Sequence, residues 1–96
     1  MRTYELLLIL NSTLNDEERT TALERVSTLM SENANEVDNV EEWGKRKLAY
    51  EIDKMKDGDY VLYEFKADPA NIAEIDRVLG ITDAVVRFII VRRDDK

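Results

Sequence analysis

Hydrophobic and polar positions along this chain change rhythm several times, and each rhythm predicts an element. From residues 4 to 10 the chain is almost wholly apolar and holds no turn former, which predicts a buried strand. Asn11-Ser12 breaks it. Asn15 or Asp16 can cap a helix, and Asp16, Glu17 and Glu18 suit the positive end of its dipole. Leu23, Val26, Leu29 and Met30 then recur at helical spacing, with Asn33 and Asn35 as stop residues.

Residues 37–52 read as extended, with a bulge or bend at Gly44. In their second half Leu48, Tyr50 and Ile52 share one face, and Lys47, Ala49 and Glu51 the other. Asp57-Gly58 is a turn signal, and residues 60–67 alternate again. Asp68-Pro69 starts a second helix, with Asp as cap and Pro pre-set at the first helical position. Ile72, Ile75 and Leu79 form its apolar stripe, Gly80 is expected as a left-handed cap, and residues 85–91 make the last strand.

The order strand, helix, strand, strand, helix, strand is the split βαβ arrangement: a ferredoxin-like α+β sandwich in one domain spanning residues 1–96. Right-handed crossovers put both helices on one face of a four-stranded antiparallel sheet and leave the other face open. Alternation assigns Tyr4, Leu6, Leu8, Leu10, Val61, Tyr63, Phe65, Ala67, Val86, Phe88 and Ile90 to the helix side. It assigns Glu5, Leu7, Ile9, Tyr60, Leu62, Glu64, Lys66, Val85, Arg87, Ile89 and Val91 to the open side, with Leu7, Ile9, Tyr60, Leu62, Ile89 and Val91 as an apolar set. A solvated sheet face normally reads polar, so this apolar set implies a partner surface.

Composition narrows the function. With no cysteine and no histidine, thiol chemistry, disulfides and the commonest general base are excluded. The apolar run near the start is far short of the ~20 residues a membrane span needs, and the expectation is a soluble cytoplasmic protein. The net charge of −7 argues at first against a nucleic-acid partner. Residues 15–42, however, hold nine acids and two bases, so the whole excess sits there, and the remainder balances at twelve of each. The bases elsewhere cluster at Lys45-Arg46-Lys47 and at Arg87 with Arg92-Arg93. Segregated charge of this kind can meet a polyanion despite an acidic total.

Candidate catalytic residues are lacking. Ser12, Ser27 and Ser31 have no histidine, no glycine-rich phosphate loop is present, and Asn11-Ser12-Thr13-Leu14 is a poor anion loop. Glu36, Asp38, Glu41 and Glu42 lack calcium-loop spacing, so no metal, cofactor or small-molecule substrate is expected. Lys45-Arg46-Lys47 beside Trp43 and Gly44 carries more information. Three consecutive bases on a strand cannot share a face, so a bend here would offer cations to phosphates; the plain alternative is a charged edge that blocks aggregation. A one-protein RNA reader would want two or three aromatics on the open face, where Tyr60 stands alone in this assignment.

The run Gly44-Lys45-Arg46-Lys47-Leu48-Ala49-Tyr50-Glu51-Ile52 resembles the signature of the bacterial small-subunit ribosomal protein number six family. The opening Met1-Arg2-Thr3-Tyr4-Glu5, Gly58 with Tyr60, and Val86-Arg87-Phe88 are similar too, in matching order along nearly the whole chain. Asp53 and Lys47 depart from the family pattern, Asp53 in a direction that weakens RNA attraction, and a long C-terminal tail is not expected. The resemblance implies a ferredoxin-like fold and binding to the central domain of small-subunit (16S-type) ribosomal RNA. It also implies a heterodimer with the ribosomal protein numbered eighteen. It puts Arg2, Lys45, Arg46, Lys47, Arg87 and Arg92 on the RNA side, while the open-face argument puts Tyr60, Leu62, Ile89 and Val91 on the protein partner. The rival from another class is a regulatory module of the same topology that homodimerises through its open sheet.

Overall fold

The computed structural model describes residues 2–52 and 55–93, the side chains of 49–52 and 55 excepted. Its elements are β1 (Arg2–Asn11), α1 (Asp16–Asn33), β2 (Glu36–Ile52), β3 (Met55–Ala67), α2 (Pro69–Gly80) and β4 (Val85–Arg93). The strands lie in the order β2-β3-β1-β4, every neighbouring pair antiparallel. This is the expected ferredoxin-like sandwich.

The helix-side face carries the core. Leu6, Leu8, Leu10, Val61, Phe65 and Ala67 lose all solvent contact under Val26, Leu29 and Met30 of α1 and Ile75 and Leu79 of α2. Each such leucine contributes about 1.5–3 kcal/mol of burial. Tyr4 stacks on Phe65 across β1 and β3, with centroids 5.7 Å apart. Burial also holds the Tyr63 hydroxyl above its usual pKa.

Local chemistry explains where the helices begin. The Asn15 side chain accepts from the Glu18 amide at 2.8 Å, and the Glu18 carboxylate accepts from the Asn15 amide at 3.0 Å. Two amides that the helix itself leaves unpaired are thereby satisfied. Asp68 accepts from the Ala70 amide at 2.9 Å at the start of α2, with Pro69 opening the helix.

Four expectations need correction. Asp57-Gly58 is no turn, because β3 already runs from Met55 and Gly58 pairs with both Arg46 and Asn11. Glycine is required there by close approach: a Cβ would fall 2.4 Å from Ile9 Cγ2 and 3.1 Å from Leu48 Cδ2. Gly80 does not adopt a left-handed cap; it ends α2 within the helix, and Ile81 follows at φ −108. Thr82 takes over the stop, donating from its hydroxyl to the Val78 carbonyl at 2.7 Å. Val85 lies on the helix side rather than the open side. Ile9 pairs with Arg87 and Leu10 with Val85, so Val86 is the extra residue of a bulge and Val85 packs on the core. In α1 the stripe is shifted, with Ala22 buried and Leu23 half-buried. Asp53, singled out above, lies outside the described residues.

Gly58→Ala should lower stability by about 1–3 kcal/mol, the usual penalty of overpacking. A fall in the urea midpoint at unchanged slope checks it.

Candidate functional site

The site starts from a break in β2. Glu42 pairs with Val61 and Gly44 with Tyr60, which leaves Trp43 as an inserted residue. Gly44 sits at φ +79, a region that costs other L-residues roughly 1–2 kcal/mol. The bulge turns Trp43 onto the open face, where its ring stacks on Tyr60 with centroids 6.3 Å apart and planes 12° from parallel. Its indole N–H donates to Glu41 at 3.1 Å.

Pairing beyond the bulge sorts the three bases. Lys45 lies opposite Asp59, Arg46 opposite Gly58 and Lys47 opposite Asp57. Asp59 faces α1, so Lys45 and Lys47 lie on the helix side and Arg46 on the open side. The Arg46 guanidinium stands 5.3 Å from the Trp43 ring centroid, a cation–π distance. All three side chains are exposed, and no acid among the described residues forms an ion pair with them.

An ionic clasp behind the bulge holds this segment to the helix. Arg19 of α1 donates to Asp59 at 2.5 Å and to Glu42 at 2.7 Å. Asp59 is 4% exposed, and Glu42 immediately precedes Trp43. Hydrogen bonding to Asp59, and then to Glu42, holds the Arg19 guanidinium well above its already high ordinary pKa. The cation stays charged at every accessible pH and compensates the buried carboxylate.

The open face carries an apolar groove of about 360 Å³ lined by Glu5, Leu7, Trp43, Leu62, Ile89 and Val91. Ile89 and Val91 are 42% and 47% exposed, large for such residues, and Leu7 and Leu62 are half-buried. Three of the four residues assigned to a partner, Leu62, Ile89 and Val91, therefore converge on one depression. Tyr60 stands beside it under Trp43. Ile9 does not belong to the patch: it is 6% exposed, packed with Leu48 and Tyr60 around Gly58. Trp43 is the residue sequence reasoning missed, because alternation cannot say which way a side chain points at a bulge. With it the open face holds, among the described side chains, two aromatics rather than one, stacked on each other rather than standing apart as separate platforms.

The six basic candidates do not form one patch. Arg87 lies opposite Ile9, in the row that continues through Tyr60 to Gly44, but on the opposite edge strand from residues 45–47, about 14 Å away across three strand spacings. Arg2 and Arg92 lie at the far end of the sheet, Arg92 opposite Tyr4. At roughly 3.3 Å per residue, that is about 23 Å from the row of Arg46 and Asn11. Arg87 and Arg92, five residues apart, also point to opposite faces. A larger groove of about 500 Å³ between α1 and residues 81–84 is lined by charges of both signs, including Glu17, Glu18, Arg25 and Asp83. Among the described residues no three acidic side chains converge as a cation site.

Fold and surface together define an α+β sandwich of the ferredoxin-like class whose open sheet face carries an exposed apolar groove near three consecutive bases of β2. Residues 3–92 match the family model described as Ribosomal protein S6. The chain is 48% identical over 95 residues to small ribosomal subunit protein bS6 of Thermoanaerobacter pseudethanolicus, covering 99% of this chain and all of that one. It is 47% identical, with the same coverage, to the bS6 protein of Caldanaerobacter subterraneus. The crystal structure of 30S ribosomal protein S6 from Thermotoga maritima superposes with a TM-score of 0.89 at 35% identity, over 96% of this chain and 87% of that one. This chain belongs to the ribosomal protein S6 family.

Removing the clasp tests its structural weight. Arg19→Met leaves Asp59 buried without its cation and should cost about 2–4 kcal/mol, whereas Arg19→Lys should recover part of the loss. Thermal unfolding of the two variants measures both effects.

Proposed function

We propose that this member of the S6 family is a structural protein of the small ribosomal subunit in the cytoplasm, acting as one domain over residues 1–96. In this reading it binds small-subunit ribosomal RNA jointly with ribosomal protein S18 and carries out no catalysis. The observation that carries the reading is a juxtaposition. Lys45, Arg46 and Lys47 are exposed, Arg46 on the open face over Trp43, which lines the apolar groove, and Lys45 and Lys47 on the helix side, so one molecule can meet RNA and a protein at adjoining surfaces.

The basic side chains supply phosphate contacts, which orient the protein and make its affinity salt-dependent. Lys45, Arg46 and Lys47 form the principal group on one edge of the sheet, Arg87 stands on the opposite edge, and Arg2 and Arg92 lie at the far end of the strands. Tyr60, Leu62, Ile89 and Val91, joined by Trp43, receive the partner protein. Burial of the groove by that partner would build a composite RNA surface in advance of binding, which lowers the entropic cost of the joint complex. The acidic α1, with Asp16, Glu17 and Glu18 in its first turn, turns away from RNA because like-charge contact is costly.

Reversal of the three bases to glutamate (Lys45→Glu, Arg46→Glu, Lys47→Glu) tests the reading in a binding assay with the RNA central domain and S18 present. Affinity should fall at least about tenfold at roughly 0.1 M salt, and the slope of log affinity against log salt should become shallower by about 2. Unchanged affinity would remove these residues from the interface.

A further inference from the structure

The open face is electrically divided along the strand direction, and the apolar groove lies on the boundary. At one end Glu64 of β3 lies opposite Glu5 of β1 and Asn39 of β2, with Glu41 on the adjoining row beside Leu62. At the other end stand Arg46, over Trp43, and Arg87. The carboxylates differ in how they are satisfied. Glu5 is paired with Arg93 at 2.5 Å, and Asp38, nearby, with Lys66 at 3.0 Å. Glu41 and Glu64 are held by neutral donors: the Asn39 amide donates to both, at 2.8 and 3.0 Å, and the Trp43 indole donates to Glu41. No lysine or arginine among the described residues pairs with either.

A protein that covers the groove must also cover its rim. Glu64 lies about 7 Å from Leu62 along β3, a spacing of two residues. Desolvating two carboxylates with only neutral donors is costly, and a partner that offers none of its own charge would lose much of what the groove contributes. We propose that the groove accepts a segment with an aliphatic or aromatic anchor and a lysine or arginine directed at Glu41 and Glu64. This rests on the reading that the open face binds the partner protein, and it adds the partner's chemistry and its orientation. The partner's cation lies at the acidic end, Arg46 and Arg87 stay at the other, and neutralising Glu41 and Glu64 removes negative charge from the surface that RNA approaches. Trp43 links the two ends, since its indole N–H contacts Glu41 while its ring carries Arg46.

Glu41→Gln combined with Glu64→Gln is the test, because glutamine keeps an acceptor for Asn39 and Trp43 and removes only the charge. Binding of the purified full chain to purified S18, without RNA, is titrated calorimetrically at low and high salt, with Leu62→Asp as a second variant. The double glutamine variant should bind about tenfold more weakly at roughly 0.05 M salt, and the difference should vanish near 0.5 M as screening removes the charge contribution. If Leu62→Asp abolishes binding and the glutamine variant matches the native protein at both salts, the groove is the interface but the cation proposal is overturned. If neither variant changes binding, the open face is not the partner surface, and this inference falls with that reading.

Discussion

The structure depends on the packing of one sheet face against two helices, organised by the central strand pair β1 and β3. Their register places Leu6 opposite Tyr63, Leu8 opposite Val61 and Tyr4 opposite Phe65 on the helix side. The same register places Leu7 opposite Leu62 on the open side. A slip of one residue would exchange the two sets. The core therefore determines both what is buried and what is presented. The open face is the necessary reverse of a well-packed inner face, and its groove is shaped by residues that have no role in the core.

β2 is where function departs from regularity. An ideal strand would put Trp43 and residues 45–47 in simple alternation. The bulge at Trp43-Gly44 adds one residue, so the tryptophan shares the open side with Arg46 while Lys45 and Lys47 lie on the helix side. The clasp of Arg19, Asp59 and Glu42 holds this irregular stretch to α1 from behind. A buried carboxylate with a fully charged arginine is an expensive way to add stability, and its position behind the bulge suits a role in fixing geometry. The segment of three bases and the apolar groove thus share one support.

Much of this was legible in the residues. The two caps, the period-2 runs of β1 and β3 and the Asp68-Pro69 start each depend on neighbours a few positions away, so local reading placed them. The resemblance carried by residues 44–52 agrees with the family found by comparison. Local reading failed at Asp57-Gly58, whose glycine is demanded by Ile9 and Leu48, distant in sequence and adjacent in space. It failed again at Gly80, where Thr82 supplied the stop, and at Val85, which a bulge against Leu10 turned onto the core.

The amino-acid order alone determined the element sequence, the helix-bearing face and the presence of an apolar, unpaired reverse face, because hydrophobic periodicity and capping act over one or two turns. Tertiary structure alone decided that Leu7, Leu62, Ile89, Val91 and Trp43 meet in one groove, and that Arg19 closes on Asp59. It also scattered the six bases over both edges and both ends of the sheet. Those outcomes depend on strand register and on bulges, which are settled by contacts between residues tens of positions apart and leave no periodic trace in the chain.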